Sequence, residues 1–153
     1  MKEFDYGLEY KEIDFSLKEN RKLYRIGRGE QGVLLVRPDT DDICAHWRFK
    51  TPEIAVKSSN KIFAMYLDYR DNKDFIGMDM CRKFLEMGFT RSRRYANHRD
   101  GKKYDEEGNI IPQEKDHATC HFAKSATIFK KVRDIVAKSE TYVKMRKQWR
   151  SEE

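Results

Sequence analysis

The densest group of side chains able to hold an anion is Phe89-Thr90-Arg91-Ser92-Arg93-Arg94-Tyr95-Ala96-Asn97-His98. With Thr90 as the N-cap of a short helix through Asn97, Arg91, Arg94 and His98 recur at i, i+3 and i+7 along one stripe. Arg93 and Asn97 form a second stripe about a third of a turn away. Guanidinium groups donate bidentate hydrogen bonds to phosphates, and the Thr90 hydroxyl with the free amides of a helix start adds donors. Tyr95 falls roughly opposite Arg93, which predicts a core anchor, not a stacking platform. The competing reading is internal pairing of these arginines with Asp79, Glu86 and the acidic stretch Asp105-Glu106-Glu107. Arg82, set among apolar neighbours, is expected to be partly buried and paired with Asp79 or Glu86 at helical distance.

Other residues carry the types of known chemistry without its spacing. Gly27 to Gly32 spells G-x-G-x-x-G, His98-Arg99-Asp100 matches a kinase catalytic-loop tripeptide, and Asp74-Phe75-Ile76-Gly77 approximates the magnesium-binding motif. The last precedes the second, the reverse of the order that phosphoryl-transfer machinery needs. The glycine run leads into Val33-Leu34-Leu35-Val36, which reads as a strand and not as a helix able to seat a pyrophosphate. Cys44, His46, His117, Cys120 and His121 are metal-ligand types, but a structural zinc site uses paired short spacings that are missing here. No metal and no cofactor are expected. No cysteine–histidine pairing is favoured by spacing, no serine sits in a nucleophile elbow, and no acid pair stands out among 26 acids.

Charge is distributed unevenly. Residues 1–81 carry 14 bases and 15 acids, whereas residues 82–103 carry 8 bases and 2 acids, a net +6. Residues 104–123 hold 1 base and 5 acids, and residues 124–150 hold 9 bases and 2 acids, a net +7. Two basic segments thus flank an acidic one, the electrostatic footprint of a polyanion binder. Charged residues make up 38% of the chain, but 12% are aromatic, so the chain can bury a core instead of remaining a disordered polyelectrolyte. No apolar run approaches a membrane span, the start lacks a signal core, and three cysteines form no disulfide framework. A soluble protein of a reducing cytoplasm is expected.

Phe4, Tyr6, Leu8 and Tyr10 alternate with polar residues or Gly, as do Ile13, Phe15 and Leu17. Period two predicts half-buried strands. Lys22–Ile26 and Val33–Arg37 read as a hairpin around the glycine loop, and Ala45, Trp47 and Phe49 as a last strand with His46, Arg48 and Lys50 outward. Thr51-Pro52-Glu53 is a helix start, and Asp74 caps a second helix ended by Gly88. Residues 98–116 form a polar loop. Helices around Phe122–Val136 and after Ser139 complete an expected single domain, 1–153. It divides into 1–50 strand-rich, 51–97 helices, 98–116 loop and 117–150 C-terminal helices. The predicted class is α+β, a small N-terminal antiparallel sheet with about four to five helices packed on it.

Four phrases carry a resemblance. They are Phe4-Asp5-Tyr6, the run Leu23 to Val36, His46-Trp47-Arg48-Phe49-Lys50-Thr51-Pro52-Glu53-Ile54-Ala55, and Arg82 to Arg91 running on to Tyr95-Ala96-Asn97-His98. They resemble a domain-of-unknown-function family of short cytoplasmic proteins in bacteria, some eukaryotes and tailed phages. The resemblance covers roughly residues 4–104, implies a single-domain soluble protein, and supplies no catalytic residues.

The leading reading is an accessory protein that binds nucleic acid, DNA or RNA, or another polyanion, non-specifically. Its expected contacts are Arg91, Arg93, Arg94, His98, Lys102, Lys103 and Arg48, with no membrane partner. One alternative is a small enzyme or binding protein for a phosphorylated small molecule, sited where Arg91–His98 meets His46-Trp47-Arg48. The other is an adaptor that docks an acidic protein.

Overall fold

The computed structural model describes residues 2–153, which form five α-helices and no sheet. They are α1 (Asp39–Cys44), α2 (Pro52–Asp71), α3 (Phe75–Asn97), α4 (His121–Lys138) and α5 (Glu140–Glu152). The helix α3 is the central element and packs against each of the other four. Its first seven residues, Phe75 to Cys81, are all buried, so this end of the helix is enclosed on every side.

Two helix starts follow from local chemistry. Thr51 accepts a hydrogen bond from the Ile54 amide at 3.2 Å ahead of Pro52, and Asp74 accepts one from the Gly77 amide at 3.0 Å. Ser139 precedes α5 without capping it, because its hydroxyl pairs with that of Tyr66 in α2. Gly88 does not end α3. It lies mid-helix where the Phe129 ring of α4 crosses, and a Cβ there would overlap that ring. Accordingly Thr90 starts no helix; its hydroxyl donates to Glu30 at 2.8 Å.

The expected α+β class is overturned: residues 2–38 form no strand, only turns, extended stretches and two 3-10 turns, Tyr10–Glu12 and Lys18–Leu23. The β-pairing among the described residues is an isolated bridge between Tyr104 and Ile110. The alternation is real in part, since Tyr24 and Ile26 are buried while Arg25 between them is half-buried. It arises because an extended chain laid along helices also turns alternate side chains inward. The carbonyls that a sheet would pair are taken instead by side chains of α3 and α5. Trp149 Nε1 donates to Tyr24 at 3.2 Å, Lys83 Nζ to Arg25 at 3.1 Å, Arg150 to Gly27 at 3.0 Å and Arg82 to Gly29 at 2.9 Å. Gly27, Gly29 and Gly32 have positive φ, as a turn-rich loop requires, but the loop joins no hairpin. The segment expected as a strand, Ala45 to Phe49, follows directly on α1 as a turn and extended chain. Trp47 and Phe49 still point inward while Arg48 and Lys50 are exposed.

Candidate functional site

Beneath the surface, Asp79 of α3 gathers a polar cluster in the apolar core. Its carboxylate accepts hydrogen bonds from the hydroxyls of Tyr24 and Tyr142, the latter at 2.6 Å, and from Arg82 Nε at 2.7 Å. Lys83 Nζ lies 3.8 Å away and 4.7 Å from the Tyr24 ring centre, a cation–π contact. Burial alone would raise the Asp79 pKa. The charges of Arg82 and Lys83 and the hydrogen bonds from Arg82 and Tyr142 outweigh it and hold the carboxyl at about 2. Lys83, with no exposed side-chain surface, goes the other way: burial lowers it to about 8, partly offset by Asp79. Burial, then the Asp79 charge, pushes both tyrosines well up, so they remain neutral donors.

Arg82 carries this cluster to the surface. Its side chain, 12% exposed, joins the lining of an open cleft of about 700 Å³ between α3, α4, α5 and the Gly29 turn. Arg82, Arg133, Arg146, Lys147 and Arg150 supply five cations against the carboxylates of Glu86 and Asp134. Both acids are engaged by Arg133, at 2.6 and 2.8 Å, and Arg150 is held by Gly27 and Glu153. Arg146 and Lys147 have no carboxylate partner among the described residues. The cleft therefore joins the two basic segments, Arg82 from the first and the other four cations from the second.

The expected contact residues are not gathered at one place. Arg93 turns inward and donates to Asn97 Oδ1 at 2.8 Å and the His117 carbonyl at 3.1 Å, so it braces the end of α3 against the loop. His98 lies past the helix, buried, with Nδ1 unpartnered. Arg91 borders a separate hollow with Leu35 and Met87. Arg94, Lys102 and Lys103 are exposed, the last two on the loop after α3. Arg48 donates to the carbonyls of Trp47 at 2.6 Å and Cys44 at 3.2 Å at the rim of an aromatic groove, in which the Phe49 ring lies 5.7 Å from that of Tyr95. Arg82 pairs with Asp79, as its i, i+3 spacing indicates. The cations Arg133, Arg146, Lys147 and Arg150 were signalled only by segment charge. Among the described residues no cluster of three or more His, Cys, Asp or Glu is placed to hold a metal ion.

The family described as a domain of unknown function (DUF4385) matches residues 5–152. The chain belongs to that family. The match takes in α4 and α5 as well as the N-terminal phrases, so the whole cleft lies inside the family's domain. No curated protein and no solved structure matches the chain. None of its described helices is long and apolar enough to cross a membrane.

Proposed function

We propose that the protein binds nucleic acid through its backbone phosphates, without base-sequence preference, and that the basic cleft is the principal contact surface. The observation that carries this reading is the convergence of five cations from both basic segments on one open cleft, with Arg146 and Lys147 facing no carboxylate partner among the described residues. An open surface with spaced cations suits a repeating polyanion. Arg133 and Arg82 are fixed by their carboxylates and act as placed donors, while Arg146 and Lys147 contribute the unneutralised charge. The expected affinity is that of non-specific contacts, about 10⁻⁴–10⁻⁶ M at physiological salt.

The test is fluorescence anisotropy with labelled DNA and RNA across a salt series. Binding should weaken steeply with salt, and Arg146→Gln and Lys147→Gln should each lower the log–log salt slope by about one, similarly for all sequences. Both positions border solvent, so melting temperatures should move little, within about 0.5 kcal/mol of stability. Absence of binding to every polyanion at low salt, or a slope unaltered in both variants, would remove the cleft from consideration.

A further inference from the structure

A second concavity, an open groove of about 780 Å³, lies at the C-terminal end of α3, whereas the basic cleft borders the middle of that helix. Trp47 and Phe49 line it from the segment before α2, Tyr95 from α3 and Phe122 from the start of α4. Their rings form a connected series: Trp47 to Phe49 at 5.1 Å, Phe49 to Tyr95 at 5.7 Å and Tyr95 to Phe122 at 5.4 Å between centroids. The exposed His121 ring extends the series, 4.2 Å from Phe122. Phe49 also meets Phe122 at 6.2 Å, and the rings sit at tilted angles of 32–55°, so none stacks face to face on another.

Charge at the rim chooses among occupants. Arg48 and Lys50 are the charged residues of the lining, both exposed, and no acidic side chain lines the groove. One guanidinium nitrogen of Arg48 is committed to backbone carbonyls, which fixes the group at the edge with its other nitrogens unengaged. An aliphatic helix from a partner would call for aliphatic walls, and Ile54 is the one branched aliphatic residue here. Aromatic faces bordered by cations match a flat π-system attached to a phosphate.

We propose that this groove stacks the unpaired bases of a single-stranded nucleic acid, giving the protein a preference for single strand over duplex. This rests on the phosphate-binding reading above and adds the recognised form of the polymer. Paired bases in a duplex are stacked on each other and present no free face, so the groove contributes only when the strand is open. Tyr95, expected to be a core anchor, is half-buried and shares the groove wall.

The experiment compares three labelled probes of equal length by anisotropy: an oligothymidylate, an abasic oligomer with the same phosphates, and a duplex. Oligothymidylate should bind at least about tenfold tighter than the abasic strand, since one stacked base is worth a factor of that order. Phe122→Leu, which keeps an apolar side chain, should erase most of that ratio while leaving abasic binding unchanged, and Phe122→Trp should restore it. Equal binding of oligothymidylate and abasic strand by the wild-type protein overturns this proposal and leaves the cleft reading standing; that comparison needs no variant to fold. A base preference undiminished in a folded Phe122→Leu variant, or tighter binding of the duplex, also overturns it. Self-association abolished by Phe122→Leu, or an acidic aromatic peptide quenching Trp47 where oligothymidylate does not, would assign the groove to another occupant and overturn it. No binding of any probe would overturn both readings together.

Discussion

Asp79 keeps an ionised carboxylate where no water reaches it, and Arg82, Lys83, Tyr24 and Tyr142 hold it there. Its folded pKa, about 2, lies below the ordinary value of 3.8, so its contribution to stability is present above about pH 4 and is lost as pH falls toward 2. Asp79→Asn should cost about 3–5 kcal/mol at pH 7, because two buried cations lose their counter-charge. In urea unfolding curves the gap between wild type and variant should narrow below pH 4; a gap independent of pH would mean that Asn replaces only hydrogen bonds. Asp39 has the opposite sign. Burial first, then the Asp74 charge, raises it from 3.8 to about 7, with Arg21 opposing. The stability linked to Asp39 is therefore full below pH 3.8 and declines as pH rises through about 7. Asp39→Asn should match wild type near pH 4 and exceed it by about 1–2 kcal/mol at pH 8, read from melting curves. Equal stability at both pH values would show that water reaches this carboxylate.

At the scale of elements, what was legible depended on whether a signal was local. Thr51 and Asp74 each act on an amide three residues away, and both caps stand where the sequence places them. Gly88 was misleading because its role is set by a residue 41 positions later: it is small for Phe129, not left-handed for a helix end. The alternating aromatics of residues 4–26 resemble a sheet pattern for a related reason. Periodicity records which side chains turn inward, while the partners of the backbone carbonyls are indole, ammonium and guanidinium groups far along the chain. The buried network was partly visible, since Asp79, Arg82 and Lys83 at i, i+3 and i+4 interrupt an apolar run, but Tyr24 and Tyr142 carry no local mark. Gly88→Ala provides the element-level test. At an open helical site it would gain up to about 1 kcal/mol, whereas against the Phe129 ring it should cost about 1–3 kcal/mol. Phe129→Leu in the same chain should return part of that loss; a stabilised single variant would show that the α3–α4 crossing yields freely.

For the molecule as a whole, the segment 2–38 and α5 depend on each other, because neither has an edge or ladder of its own to hold the other's partners. Trp149 is the hinge of that dependence: its ring stacks on Phe75 at 5.2 Å and meets Tyr24 edge-on at 6.0 Å, while its Nε1 holds the Tyr24 carbonyl. Next to it Arg150 holds Gly27, and the same helix presents Arg146 and Lys147 to the cleft. Trp149→Ala should cost about 3 kcal/mol through lost packing and an unsatisfied carbonyl. The loss should not be uniform. Hydrogen exchange should rise first in residues 18–37 and in α5, with the α3–α4 pair remaining protected, since those two helices keep their own contacts. Trp149 does not line the cleft, yet the variant should also bind polyanions more weakly, because α5 and the Gly29 turn set the spacing of its cations. Faster exchange spread evenly over all five helices would show one cooperative unit instead. Unchanged affinity with a loosened α5 would place the phosphate contacts on Arg82 and Arg133 alone.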